Sequence, residues 1–553
     1  MVCGFESRRP HQCNIWLRHK CADTKFLLVD AANGALANIM RTLCLLPLLL
    51  MLPSCNKDVA SASGRSQNVL IRLAESEARG LDPQISSDLS SIRIAADQFE
   101  GLTRFNGAGV AEPGLAERWS MTPSGLAWTF TLRPNLRFSD NTPINADVFN
   151  RALARIRDPK TASPHTSLFA VIESIDVSGT NTVTVHLTKP FPQLPALLAH
   201  PALAALPFHV IEEKSAAWTA ARPLVTSGPY RLTQWRLNQR MVLSANPAWH
   251  SGRPAAQTVI WQPADNVQSG MRLMLAGGAD ISTEFPANRT AWLQDRYPKL
   301  VHNSGFLATY YFAFNTRRPP FNDPRVRRAL SFAVDRRWMA DKMIAAGNEP
   351  AWGLLPPGLG GPSAMRPIWS DWPRAKRLSA ARALLQQAGY NAARPLRFEI
   401  RLNSSAEHRR AATALATMWR ELGVEASMLN SEASLHFDSL KRGDFALARS
   451  GWVADIPAPE NFLAVHKSDA GPQNYSGYAN PVYDKALDDA LAEPDPARRA
   501  EKMRTAEMIL INDMPILPLY FYVSRALVQP DVTGWQDNVG NIHPSYTLAK
   551  ARK

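Results

Sequence analysis

Past Cys55 the chain has no cysteine: all five (Cys3, Cys13, Cys21, Cys44, Cys55) fall in the first tenth of its 553 residues. Residues 56 onward therefore have neither a disulfide framework nor a thiolate metal site. Histidines such as His200 and His209 lack metal-ligand spacing, so no metal site and no cofactor is expected. Long runs of one charge are also missing. The net charge is +14, yet lysine and arginine are dispersed, in nothing longer than doublets such as Arg336-Arg337 and Arg409-Arg410. That pattern reads as a solvated surface, not a nucleic-acid face. Gly-x-Ser-x-Gly and His-Glu-x-x-His are absent, and the Gly277-Gly278 pair is too slight to cradle a phosphate. An exported hydrolase remains only as a remote alternative. What the chain does have is length for two or three domains, an ordinary 45% hydrophobic content, and many Trp (15) and Pro (42). Trp supplies rigid amphipathic walls, and Pro stiffens ordered loops.

The longest apolar run lies near the start. Met40-Arg41 precedes Thr-Leu-Cys-Leu-Leu-Pro-Leu-Leu-Leu-Met-Leu, then Pro53-Ser54-Cys55. The run is shorter than the ~20 residues of a membrane-spanning helix. One positive charge, a short apolar core and a small residue before Cys make a secretory signal. It resembles a bacterial lipoprotein signal over 40–54, with Cys55 as the acylated residue; Pro53 departs from the usual pattern. Because such signals stand at the start of a chain, translation is expected to begin at Met40, with 1–39 a non-native extension. The small polar residues up to 68 read as a tether.

From Val69 the pattern alternates between strand and helix. Trp128-Thr-Phe130-Thr-Leu132 alternates as a strand. Pro143-Ile-Asn145 is read as a helix start, with Asn145 as cap and Val148, Phe149, Ala152, Leu153 and Ile156 on one buried face. Ala279-Asp280-Ile281 is read as a strand after a helix that Gly277-Gly278 ends. Asp323-Pro324 opens a helix with the stripe Val326, Leu330, Val334. Helix 376–389, strand 396–402, helix 406–422 and strand 424–429 follow in α/β order, then helix 496–511 and the apolar strand Ile516–Val523.

Between these lies the stretch that points to function. Phe445-Ala-Leu-Ala-Arg449-Ser-Gly451-Trp452-Val453-Ala-Asp455 reads as a strand that runs out at a cleft. It carries an arginine, an aromatic and a carboxylate before Pro457 and Pro459 break the regular structure. Such a segment suits a ligand with an amino end, a carboxylate end and a main chain between.

Several segments occur together in one order: Trp119 with Trp128–Arg133, Phe138-Ser-Asp140, Ser227-Gly228-Pro229-Tyr230, Phe314-Asn315-Thr316 with Pro319–Arg327, and Gly451–Asp455. In this the chain resembles the family 5 extracellular solute-binding proteins of bacterial ABC importers, most of all the oligopeptide-binding subgroup. The resemblance spans residue 69 to the C-terminus. It implies an α/β two-lobed periplasmic-binding-protein fold (type II) with an extra third domain and a hinge between lobes. Lobe I would take 69–100, 225–315 and 520–553, the extra domain 101–224, and lobe II 316–519.

By the same likeness Asp455 matches the Asp that receives a peptide's α-amino group, and Arg449 an Arg that reaches the carboxylate of short peptides. Trp452 matches a pocket wall, and the backbones of Gly451 and Val453 the strand that pairs with ligand. Glu77 falls in a ligand-contacting segment of the first lobe, and Tyr310 and Tyr311 in an aromatic segment near the hinge. Ile456 and Ala458 depart from the aromatic and acidic residues usual after this Asp. The implied partners are an oligopeptide and the importer's permease subunits, with the membrane reached only through the lipid and no nucleic acid. A monomer on the periplasmic or cell-surface face is expected. The same fold with another cargo, such as a dipeptide, cell-wall peptide, peptide antibiotic or metal chelate, is the alternative.

Overall fold

The computed structural model describes residues 68–264, 266–359, 364–454 and 456–551. The extension, the signal, Cys55, all but the last residue of the tether, and Asp455 lie outside the described residues. Among those described, no helix is long and apolar enough to cross a membrane.

The strands used below are β1 (Val69–Ala74), β2 (Ala116–Met121), β3 (Ala127–Leu132), β4 (Ile172–Ser178), β5 (Thr182–Leu187), β6 (Tyr230–Arg236) and β7 (Arg240–Ala245). After them come β8 (Thr258–Pro263), β9 (Ile281–Ser282), β10 (Val301–Phe314), β11 (Arg397–Asn403), β12 (Glu425–Ser431), β13 (Leu447–Val453) and β14 (Ile516–Val528). The helices are α1 (Asp147–Arg157), α2 (Pro324–Ala333), α3 (Arg374–Gln387), α4 (Ala406–Arg420) and α5 (Pro496–Asp513).

A four-stranded antiparallel sheet runs β2-β3-β5-β4. Its inner face carries Phe130, Val183 and Val185, and α1 buries the five apolar residues of its predicted face. That helix begins at Asp147 and has no side-chain cap. Pro143 instead bridges to Arg137, so the chain turns there before winding.

The main sheet has ten strands in the order β12-β11-β13-β10-β14-β9-β1-β8-β7-β6. Two long antiparallel strands, β10 and β14, lie at its centre and join two halves. Residues 309–313 of β10 pair with 516–521 of β14 beside β13, while 301–305 pair with 523–527 toward β9. The register shifts twice, once between the two runs (Gly305 to Thr309) and once within the first (Tyr310 to Tyr311). Pro518, opposite Tyr311, sits at the second shift, where a ladder can lose an N–H donor. The halves therefore communicate through two irregular strands.

Around β11 and β12 the α/β alternation is as expected. Asp323 caps α2 by accepting from the Arg325 amide at 2.8 Å, with Pro324 in the first turn. The helix stops at Ala333, so Val334 is its C-cap residue and not part of its stripe. Trp419 on α4 is fully buried and donates its indole N–H to the Leu330 carbonyl at 2.9 Å, tying α4 to α2. Burial of each such side chain contributes roughly 1.5–3 kcal/mol. The strand read at 279–281 shrinks to Ile281–Ser282, because Asp280 accepts from the Ile71 amide through its side chain.

Candidate ligand-binding site

Strand β13 lies edge to edge with β10, with Arg449 opposite Phe312, Gly451 opposite Tyr310 and Trp452 opposite Thr309. Side chains alternate across a strand, so the residues singled out in the sequence divide between two faces.

On one face Arg449, Gly451 and Val453 share the side of Tyr310. The Arg449 guanidinium lies 5.0 Å from the centre of the Tyr310 ring, and its Nη2 donates to the Tyr522 hydroxyl at 2.9 Å. Its Nε is buried without a hydrogen-bond partner, and no described carboxylate pairs with the guanidinium. Tyr310 stacks on Tyr520 with centroids 4.6 Å apart and planes at 14°. The Tyr520 hydroxyl donates to Glu407 Oε1 at 2.9 Å, and that of Tyr310 lies 3.1 Å from His408 Nδ1. His436 donates from Nε2 to the Arg449 carbonyl at 2.9 Å. A Cβ on Gly451 would come 3.1 Å from the Thr309 carbonyl and point at the Tyr522 hydroxyl and Arg449. Glycine thus keeps open the space where the guanidinium ends. Val453 is exposed.

Electrostatics set the site's character. Burial, with the Arg449 charge adding to it, pushes His408 down to about 3, so the imidazole is neutral. Burial raises the Tyr310 and Tyr522 phenols, which Arg449 opposes. Neutral hydroxyls and aromatic faces are thus what holds this half-buried cation. No described carboxylate offsets its charge.

On the other face Trp452 donates to Asn461 Oδ1 at 2.8 Å and, with Ile456, lines a cavity of about 500 Å³. His165, His200 and Lys189 line the same cavity. Tyr311 faces this side too, buried beside His466, and burial lifts its phenol to about 12. Glu77 is engaged elsewhere: its carboxylate accepts from the Trp235 indole at 2.6 Å and the Asn238 amide at 3.1 Å, on the β6–β7 hairpin.

The sequence reading missed Tyr520, Tyr522, Glu407 and His408. The pair at Tyr520 and Tyr522 had a signal, two tyrosines at strand spacing in a run read only as apolar. Glu407 and His408 had none, since only the fold brings the start of α4 to β10.

The profile of bacterial extracellular solute-binding proteins, family 5 (middle region) matches residues 110–474. The periplasmic oligopeptide-binding protein OppA of Salmonella typhimurium is 34% identical over 499 residues, 86% of this chain and 92% of that protein. The structure of the Escherichia coli murein tripeptide binding protein MppA superposes with a TM-score of 0.76 at 31% identity, covering 88% of this chain and 99% of that one. Haemophilus influenzae OppA in complex with the peptide RPPGFSPFR gives 0.75 at 28% identity, covering 88% and 99%. The fold is accordingly the two-lobed α/β architecture of periplasmic peptide-binding proteins. The chain belongs to the family 5 extracellular solute-binding proteins.

Proposed function

We propose that this protein is the substrate-binding component of an ABC importer and captures extended oligopeptides between its two lobes. The observation that carries the reading is Arg449, a half-buried guanidinium held by tyrosines and left without a described anion. A peptide laid along a strand edge gains main-chain hydrogen bonds whatever its sequence, while alternate side chains enter pockets on either side. The two faces of β13 suit that arrangement, with Arg449 for a carboxylate and Trp452 as a pocket wall. Asp455 is assigned the ligand's ammonium on the strength of the family likeness. Glu77, Gly451, Val453, Tyr310 and Tyr311 complete the proposed surroundings.

Lobe I is assigned 69–100, 225–315 and 520–553, the extra domain 101–224, and lobe II 316–519, with the hinge in the middle of β10 and β14. Support comes from the two shared strands and their register shifts. We assign the protein to the periplasmic or cell-surface side, anchored through a lipid on Cys55, monomeric, and delivering ligand to permease subunits. It acts as a binding protein and not an enzyme. A murein-derived peptide is the second reading, favoured by the likeness to the E. coli murein tripeptide binding protein.

Calorimetry on protein stripped of ligand by unfolding and refolding tests this. Free tri- to pentapeptides should bind, and N-acetylation or Asp455→Ala should each abolish binding. Binding that survives acetylation would move the ammonium site away from Asp455. No binding to any peptide would sink the peptide reading.

A further inference from the structure

The first register shift of the two central strands leaves main-chain groups that another part of the chain takes up. Gly305 pairs with Val523 and Thr309 with Phe521, so Phe306, Leu307 and Ala308 of β10 stand against Tyr522 alone. A bulge of this kind takes main-chain groups out of the ladder. Leu307 finds partners elsewhere: its N–H donates to the Val539 carbonyl at 3.0 Å, and its carbonyl accepts from the Ala454 N–H at 2.9 Å.

Each of these two bonds leads somewhere. The pairing of β13 with β10 ends at Val453 opposite Ala308, and the Ala454 bond carries it one residue further, to the position before Asp455 in the chain. Val539 belongs to the C-terminal loop 535–543, which is built on the buried side chain of Asn538. Its Nδ2 donates to the Ile542 carbonyl at 2.9 Å and the Gly107 carbonyl at 3.3 Å, and its Oδ1 accepts from the Ile542 N–H at 3.1 Å. The Asn538 carbonyl accepts from the Ser304 hydroxyl at 3.3 Å, beside the bulge. A Cβ on Gly109 would come 2.7 Å from Asn538 Oδ1, so the turn at 107–109 is shaped around this amide.

Bonding thus runs from Asn538 and Val539 through Leu307 to the end of β13. The other end of the strand is placed without the loop. Arg449 sits opposite Phe312 within the unbroken pairing of 447–453 with 308–314. Tyr522, which accepts from Arg449, is set by the pairing of Phe521 and Val523 on either side of it.

We propose that Asn538 is a positioning residue for recognition of the ligand's amino end: through Val539 and Leu307 it fixes the end of β13 and so the place of the carboxylate that follows. The inference rests on the oligopeptide reading, with Asp455 as the ammonium acceptor, and adds to it a residue that acts through the main chain.

The test is calorimetry on the full chain with Ala-Ala-Ala and its C-terminal amide. A peptide α-ammonium loses its proton at about pH 8, so a site that requires it should bind about tenfold more weakly at about pH 9 than at about pH 7. Asn538→Ala should weaken Ala-Ala-Ala about tenfold at neutral pH and flatten that decline to about threefold, because a displaced carboxylate selects the ammonium less. The preference for acid over amide, set by Arg449, should stay within about twofold of its unaltered value. Ser304→Ala cuts a single bond to Asn538 and should flatten the decline in the same direction but less, so the outcome does not hang on the folding of one variant. Unchanged affinity in Asn538→Ala, or weaker binding that keeps the full pH decline, makes the loop a brace only and overturns the proposal. Binding by the unaltered protein with no pH decline overturns the Asp455 assignment and this inference with it. No binding of either peptide overturns the oligopeptide reading itself.

Discussion

Arg336, fully buried, and Arg449, half-buried, show how a cation saturated by the fold differs from one proposed to meet a ligand. Neither has a described carboxylate partner, and both lie against aromatic rings: Arg336 is 4.8 Å from the Trp352 ring, and Arg449 is 5.0 Å from that of Tyr310. Arg336 is saturated by the fold. Its Nε donates to the Pro518 carbonyl, Nη1 to the Ser331 carbonyl and Nη2 to the Ser331 hydroxyl, at 2.7, 3.0 and 2.7 Å. Burial, with Arg377 nearby, lowers it to about 9. Arg449 has one hydroxyl partner, a buried Nε without any, and tyrosines that hold its pKa up against burial. Both sites lie along β14, yet the first is bonded to its main chain and the second only to the Tyr522 hydroxyl.

The sharpest way to break the comparison is to remove each charge. Arg336→Met strips a charged donor from two carbonyls and a hydroxyl and should cost about 3 kcal/mol in urea unfolding, with peptide affinity unchanged in the remaining folded protein. A second probe of the same brace is Glu507 on α5, whose Oε1 accepts from the Leu354 and Leu355 amides at 2.7 and 2.8 Å. The Leu354 carbonyl in turn accepts from Thr309 on β10 at 2.7 Å. Burial pushes the Glu507 carboxyl up to about 7 from an ordinary 4.5, against the two amides. Below pH 4.5 both folded and unfolded forms are protonated; between 4.5 and 7 only the folded form keeps the proton. Stability should therefore fall by about 3 kcal/mol as pH rises through that window, and Glu507→Gln should remove this part of the slope.

Arg449→Met should behave in the opposite way to Arg336→Met. Stability should change by no more than about 1 kcal/mol, while free-acid tripeptides bind some tenfold to hundredfold more weakly and their amides are unaffected. An equal loss for acid and amide would make Arg449 a second brace. The smallest effect belongs to Tyr522→Phe, which removes the hydroxyl that accepts from the Arg449 guanidinium and should weaken free-acid binding about fivefold, leaving sensitivity to N-acetylation intact.

Much of the fold was legible because it is written in local patterns. The Asp323-Pro324 start of α2, the five-residue face of α1 and the alternation from α3 to β12 depend on neighbours within a turn or two. The site was legible only as a segment. Arg449, Gly451, Trp452 and Val453 were found together, but their division between two faces follows from the pairing of β13 with β10. The tyrosines that hold Arg449, Tyr310 and Tyr522, come from strands far apart in the chain, through a register with two shifts. Spacing of residues cannot report such a meeting. Glu77 was read from a motif, and its hydrogen bonds to the β6–β7 hairpin are likewise invisible until that hairpin folds.

The pleat of β13 also governs how this protein can change. Substitutions at Arg449 or Val453 alter one wall of the proposed cleft and leave the Trp452 side untouched, so the two sets of contacts can drift independently. A single inserted or deleted residue before Gly451 would do the reverse, exchanging every side chain between the two walls at once. New cargo is thus reachable by replacing residues one at a time, whereas a change in strand length would turn the guanidinium into the packed side and erase both walls together.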